Sequence, residues 1–179
     1  MTSTASHRRH QGGADVEGKP DPLRGAIAGL AAGLAASLAM DLAQKGLAKL
    51  QSSSGGGEPS TEKAADRVAQ ATTGAAVLDR SKPLAGEAVH YGFGALLGIG
   101  YGVAAEYWPR TTTGWGSAYG LGNALLFDEA AVPAAGLGQA PWDAPLSTHL
   151  YTLLSHLVFG TAAEGTRRLV RAAIDGNND

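Results

Sequence analysis

Residues 25–40 read GAIAGLAAGLAASLAM and contain no charged side chain. Three further uncharged stretches follow, with 18 residues at 88–105, 17 at 111–127 and 20 at 144–163. A helix needs about 20 mainly apolar residues to cross a bilayer. Soluble helices of this length normally carry a charged face, whereas Gly, frequent in the first three stretches, is common in membrane helices. The sequence therefore predicts four membrane spans, at about 24–48, 84–107, 113–135 and 146–169.

The composition excludes several classes of protein. The 179 residues carry 14 Lys and Arg against 16 Asp and Glu, and they include no Cys. A nearly neutral net charge without a run of basic residues offers no surface typical of nucleic-acid binding. The lack of Cys excludes disulfide scaffolds, Cys-based zinc sites and thiol nucleophiles. We therefore expect an all-α integral membrane four-helix bundle, for which the lipid bilayer is the main partner.

The segments outside the predicted spans are polar. Residues 1–23 lack an apolar core, which predicts a disordered N-terminal tail and not a signal peptide. Residues 50–83 are expected to be a flexible loop, since they include SSSGGG, with a short helix that Ser60 or Thr61 caps and that ends at about Ala71. Residues 170–179 are expected to form a polar C-terminal tail.

The distribution of basic residues predicts the orientation in the membrane. With four spans, eight Lys and Arg lie on the side of the two tails and six lie on the opposite side. Cytoplasmic segments carry the excess of Lys and Arg. Both termini are therefore expected in the cytoplasm, with residues 50–83 outside.

The first three predicted spans carry small residues four positions apart, which places them on one helix face. Small residues let helix backbones approach closely, and this contact drives association where lipid offers no hydrophobic force between helices. The predicted packing residues are Gly29, Gly33, Gly94, Gly98, Gly102, Gly116 and Gly120.

Ionisable residues lie on or beside the same faces, and they form the predicted polar cluster: Asp41, Glu87, His90, Asp128, Glu129, His149 and His156. Because the spans alternate in direction, the first six are expected near the membrane face opposite the tails. His156 would lie about 10 Å deeper, at ~1.5 Å per residue. Ionisable groups at this depth cost about 2.5–3.5 kcal/mol each and usually face the interior of a bundle. Such a cluster would sense or relay protons or lock the bundle; simple placement at the interface is the alternative.

Three other functions stay open at this stage. Glu87 and His90 have the Glu-x-x-His spacing that places two ligands on one metal ion, and Asp128 and His149 complete a candidate set for Zn, Mn or Fe. Pairing His90 with His149 or His156 would hold haem. A small-solute transporter or channel subunit is the third, and four short spans would then require a homo-oligomer. Without a P-loop, a complete dinucleotide fingerprint or a nucleophile elbow, the sequence indicates no enzyme class and no catalytic residue.

The second half of the chain carries several short motifs. They are HYG at 90–92, GYG at 100–102 followed by Glu106 and Pro109, Pro133 with Gly136-Leu137, and HLV at 156–158. Over about residues 88–168 the chain thereby resembles the YagU-like family, bacterial inner-membrane proteins without an assigned biochemical activity. The resemblance implies a multi-pass protein of the inner membrane and supplies no catalytic or ligand residue.

Overall fold

The computed structural model describes residues 20–47 and 58–176, and every regular element in these ranges is helical. Short 3-10 turns precede α3, α4 and α6, and α4 continues without a break into a π-helix and then α5. In chain order the elements are α1 (Pro22–Leu47), α2 (Ser60–Thr73), α3 (Lys82–Tyr107), α4 (Ser117–Asn123), the π-helix (Ala124–Ala131), α5 (Val132–Ala134) and α6 (Leu146–Gly176).

The all-helical fold is confirmed, and two helices are long and apolar enough to cross a membrane. They are α1 and α3, which correspond to the predicted spans 24–48 and 84–107, although residue 48 lies outside the described ranges. Within those ranges no other helix meets the same requirements of length and composition. Length and composition therefore support the first two predicted spans and not the third and fourth.

The third predicted span, 113–135, differs most from the structure. Gly114, Trp115 and Gly116 have positive φ angles of 64°, 57° and 78°. The chain turns through this left-handed region, which glycine adopts at little cost, and α4 begins only at Ser117. Gly116 was predicted to lie in a helix; it caps the start of α4 instead.

The predicted polar segments also differ from the structure. Residues 1–19, most of the predicted disordered tail, lie outside the described ranges, but α1 begins at Pro22, within the predicted tail 1–23. In the predicted loop 50–83, residues 50–57 are not described, and α2 forms where a short helix was expected. Pro59 precedes α2 without a side-chain cap, so neither Ser60 nor Thr61 caps it.

In the expected polar tail at 170–179, α6 continues as far as Gly176. Arg171 explains the extension, since it binds Glu106 of α3 with Nε at 2.8 Å from Oε1 and also pairs with Asp175 one turn later. Residues 177–179 lie outside the described ranges.

Helices α1 and α3 run antiparallel with their backbones in direct contact. A Cβ at Gly29 would lie 2.2 Å from the carbonyl oxygen of Gly98, and a Cβ at Gly33 would lie 2.1 Å from that of Gly94. Gly102 would meet the backbone of α1 in the same way, at 2.1 Å. No side chain fits at these positions, so the glycines set the separation of the two helices.

A second glycine contact joins the start of α4 to α6. A Cβ at Gly116 would lie 2.2 Å from the carbonyl oxygen of Gly160, and a Cβ at Gly120 would lie 2.1 Å from that of His156. Side chains, in contrast, bridge α3 to α4, where Tyr101 and Tyr119 stack with ring centres 4.3 Å apart. α1 and α6 also pack together, and the buried cluster at the centre comprises Ala32, Ala36, Met40, Tyr101, Phe159 and Ala163.

The pattern of burial on α1 is the reverse of that in a water-soluble helix. Its buried positions are Gly, Ala and Ser, with Met40 as the largest side chain among them. Leu30, Leu34 and Leu38 are 41%, 42% and 52% exposed. Leucine is among the residues that soluble proteins most often bury. The outer face of α1 therefore suits an apolar environment.

Candidate functional site

Four helical segments approach one another at one end of the molecule: the last turns of α1, the first turns of α3, the π-helix and the first turns of α6. Six of the seven residues of the predicted polar cluster form three contacts between a carboxylate and an imidazole here, and each contact joins two different elements. We call them the acid–histidine pairs: Asp41–His90, Asp128–His156 and Glu129–His149.

The first pair joins α1 to α3. His90 Nε2 lies 3.2 Å from Asp41 Oδ1, and the hydroxyl of the neighbouring Tyr91 donates a hydrogen bond of 2.8 Å to Asp41 Oδ2. The side chains of Asp41 and His90 are 15% and 23% exposed. Two consecutive residues of α3 therefore hold one carboxylate of α1.

The second pair joins the π-helix to α6. Glu129 Oε1 lies 2.8 Å from His149 Nδ1, and the other ring nitrogen, Nε2, lies 3.1 Å from the carbonyl oxygen of Pro141. Both partners are hydrogen-bond acceptors. Only the doubly protonated imidazolium donates from both nitrogens, so His149 is fully hydrogen-bonded only in its charged form.

The third pair also joins the π-helix to α6, about two turns along α6 from the second. His156 Nδ1 lies 3.3 Å from Asp128 Oδ2 and 3.1 Å from the carbonyl oxygen of Thr152, and its side chain is 13% exposed. His90 lies close enough to Asp128 to interact with it electrostatically. The first and third pairs are thus neighbours across the space between α3 and the π-helix.

The π-helix turns two consecutive carboxylates, Asp128 and Glu129, toward α6. Its hydrogen bonds span five residues instead of four, and such segments recur at functional sites. Pro133 has no N–H and so cannot complete the α-helical bond to the Glu129 carbonyl. The sequence analysis missed this element, and Pro133 was the signal that could have indicated it.

Glu87 lies outside these pairs, because its side chain is exposed. The other candidate ligands, His90, Asp128 and His149, each belong to a different acid–histidine pair. Within the described ranges no group of three or more His, Cys, Asp or Glu could hold a metal ion. The structure therefore does not assemble the candidate metal set of Glu87, His90, Asp128 and His149. The haem interpretation gains no support either, since His90, His149 and His156 each have a carboxylate partner.

The opposite end contains an ionic group that the sequence analysis missed. Glu164 of α6 is fully buried and accepts hydrogen bonds from Arg167, at 2.8 Å and 3.0 Å, and from Arg168. The hydroxyl of Tyr101 of α3 also donates to it, at 2.8 Å. The available signal was the spacing, since residues three and four apart are neighbours on a helix.

A partly exposed network surrounds this buried group and joins α1, α3 and α6. Glu106 of α3 accepts hydrogen bonds from Arg171 and from the backbone N–H of Asp21, at 3.0 Å for the latter. The hydrogen bond to Glu106 raises the pKa of Arg171. At the start of α1, the backbone N–H of Arg24 lowers the pKa of Asp21. The two ends therefore differ, with arginines at one and histidines at the other.

Comparisons with known proteins identify a family for this chain. A family model described as "Protein of unknown function (DUF1440)" matches residues 66–165, which is 100 of the 179 residues. No curated protein and no solved structure matches the chain. The matched range contains both pairs of the π-helix and His90, whereas Asp41 precedes it.

Proposed function

This chain belongs to the DUF1440 family of proteins of unknown function, and we propose that it is a multi-pass inner-membrane protein whose helix association responds to protons. The observation that carries this proposal is that each acid–histidine pair joins two different elements through an imidazole, the side chain that serves as a proton switch in proteins. We also propose that the family is the YagU-like one, since the motifs that resemble it, at 90–158, all lie within residues 66–165.

Membrane placement is supported by α1 and α3. Both are long and apolar enough to cross a bilayer, and exposed leucines follow one another along the outer face of α1. Burial of apolar surface stabilises by about 25 cal/mol per Å² removed from water. A bilayer would cover these leucines, while the Gly and Ala faces pack against other helices.

We propose residues 117–134 and 146–169 as the third and fourth spans of a four-helix bundle. Ionisable residues lower the apolarity of α6, but His149, His156 and Glu164 all have partners within the protein. Intramembrane ionisable groups normally pair in this way. The glycine contacts of α1 with α3 and of α4 with α6 resemble small-residue packing of membrane helices. Both termini would then be cytoplasmic, opposite the acid–histidine pairs.

The response to protons follows from the groups that face each imidazole. His90 faces Asp41 and interacts with Asp128, His156 faces Asp128, and His149 faces Glu129. As the pH falls, an imidazole gains its proton before a carboxylate does. A proton on the imidazole turns each of these contacts into an ion pair between two elements, and the His149–Glu129 contact is also a hydrogen bond. Mild acid should therefore tighten the association of the helices, and strong acid should loosen it.

We expect detergent-purified protein to melt at a higher temperature at pH 5.5 than at pH 8. The gain should be up to about 1 kcal/mol per pair, the range for partly exposed ion pairs. Replacing His90, His149 and His156 together by Gln should abolish the difference, because Gln does not titrate. The measurement is the melting temperature across this pH range at constant ionic strength.

Glu87→Gln is the matched control, since Glu87 is an exposed carboxylate one turn from His90. It should leave the pH dependence unchanged. A parent protein that melts at the same temperature at both pH values, or a pH dependence that persists in the triple variant, would show that the pairs only lock the helices together.

A further inference from the structure

The π-helix is joined to the rest of the protein by a small number of side chains. Of its eight residues, all within the described ranges, only Ala124 is buried. Asp128 and Glu129 reach α6 through two acid–histidine pairs, and Phe127 meets Phe93 of α3 edge to face, with ring centres 4.9 Å apart. The position of this segment therefore depends more on its charged side chains than on burial of apolar surface.

Its backbone hydrogen bonds enclose one residue more than those of the α-helices on either side. The N–H of Val132 donates to the carbonyl oxygen of Phe127, five residues earlier. The N–H of Ala135 returns to the α-helical spacing and donates to the carbonyl oxygen of Ala131, at 2.9 Å. Helices of the π type are rare, and an uncommon backbone conformation persists where the surrounding structure imposes it. Without such contacts, we expect the same residues to continue the α-helix that flanks them.

The chain beyond α5 leaves room for a change of register. Residues 136–140 form no helix and are mostly exposed. Arg67 of α2 donates hydrogen bonds to the carbonyl oxygens of Ala135 and Gly136. Because Arg67 is exposed and its side chain is long and flexible, it can follow these acceptors when they move. The loop can therefore take up a residue that leaves the helix.

Histidines of two helices face the carboxylates of the π-helix. His156 of α6 lies 3.3 Å from Asp128, and His90 of α3 interacts with the same carboxylate. His149 of α6 lies 2.8 Å from Glu129. The two carboxylates also repel each other, since they are neighbours in the chain. Charge on the imidazoles therefore decides whether Asp128 and Glu129 are attracted toward α3 and α6 or are left to repel one another.

We propose that the π-helix is the element that moves when the imidazoles change charge, an inference that rests on the proposed function. Ion pairs with charged imidazoles hold Asp128 and Glu129 toward α6 and so impose the π turn. When the imidazoles are neutral, the segment winds into an α-helix and the carboxylates rotate away from α6. The surplus residue passes downstream into the loop at 136–140. A change in proton concentration is thereby converted into a rotation of α5 relative to α4.

Distances between spin labels on cysteines test this proposal, because the chain contains no Cys of its own. One pair of labels joins Leu38→Cys of α1 to Ala134→Cys, which follows the π-helix. The other joins Leu38→Cys to Ala118→Cys, which precedes it, and all three positions are exposed. One residue of register turns a helix by about 100°, so we expect the first distance to differ by about 3 Å or more between pH 5.5 and pH 8. The second distance should stay constant.

Two variants identify the cause of the change. Replacing His90, His149 and His156 together by Gln removes the titrating partners and should keep the first distance at the parent's pH 8 value at both pH values. Deletion of Ala130, an exposed residue of the π-helix, removes the surplus residue. The shortened segment then forms an α-helix that leaves α5 where the π-helix placed it. This variant should therefore keep the parent's pH 5.5 value at both pH values.

The outcomes separate this proposal from the proposed function. A first distance that is the same at both pH values overturns the moving π-helix, and a melting temperature that still depends on pH would leave the proposed function standing. Equal changes in both label pairs overturn the change of register, because they report a movement of whole helices. A pH-dependent first distance in the deletion variant also overturns it, since that variant has no residue to release. A constant distance together with a constant melting temperature contradicts both proposals.

Discussion

Gly98→Leu is expected to lower the free energy of unfolding by about 3 kcal/mol or more. A Cβ at Gly98 would lie 2.2 Å from the carbonyl oxygen of Gly29 and 2.6 Å from the Cα of Gly33. Both atoms belong to the backbone of α1 and cannot move aside as a flexible side chain can. Overpacking of a core typically costs about 1–3 kcal/mol. We expect the upper end of that range or more, because the new side chain would push α1 and α3 apart.

Unfolding of the detergent-purified protein by heat or by SDS measures this effect. Gly92→Leu and Gly100→Leu are the controls, because they lie on the same helix and no atom lies within 4 Å of their Cβ positions. They should change the free energy of unfolding by less than about 0.5 kcal/mol, as surface substitutions usually do. If Gly98→Leu unfolds at the same temperature as these controls, the glycines of α3 do not hold α1 in place.

Glu164→Ala is expected to cost about 3–5 kcal/mol, the range for removal of one partner of a buried ion pair. Glu164 is fully buried and accepts hydrogen bonds from Arg167, Arg168 and Tyr101. Its loss leaves the guanidinium of Arg167, which is 13% exposed, without its carboxylate. It also removes the contact of Tyr101 that links α3 to α6.

The same unfolding measurement decides this prediction. Asp79→Asn is the control, because Asp79 is 97% exposed in its pair with Lys82, and exposed pairs contribute about 0–1 kcal/mol. A loss in Glu164→Ala that is no larger than the loss in Asp79→Asn would contradict a structural role for the buried group.

The long helices α1 and α3 and their contact faces could be predicted from the sequence, because both depend on helix periodicity. A run without charges predicts a long helix, and residues four apart share a face, so Gly29 and Gly98 were identified as contact residues before their partners were known. The partners themselves depend on the order in which the helices surround one another, which no local pattern specifies. For this reason the residues of the acid–histidine pairs were predicted, but their pairing was not.

Glu87 shows the limit of a motif. Glu87 precedes His90 by three positions, so the two side chains leave the helix axis in directions about 60° apart at 3.6 residues per turn. That rotation and the rise of one turn place Glu87 at the exposed rim, while His90 reaches Asp41. The π-helix was not predicted either. Its hydrogen bonds span five residues, and they arise where Pro133 interrupts the α-helical pattern.

Labelling of single cysteines tests the four-span arrangement most directly, because the chain contains no Cys of its own. Suitable positions are Gln70 in α2, Thr113 between α3 and α4, and Gln139 between α5 and α6, all of them exposed. Each is replaced by Cys, and whole cells are treated with a membrane-impermeant maleimide before or after permeabilisation.

We expect Gln70→Cys and Gln139→Cys to react with the maleimide in intact cells, and Thr113→Cys to react only after permeabilisation. Residues 117–134 would then separate position 113 from position 139 and act as a span. If α1 and α3 alone crossed the membrane, positions 113 and 139 would lie on the same side. Reaction of Thr113→Cys and Gln139→Cys under the same condition would therefore contradict the four-span arrangement.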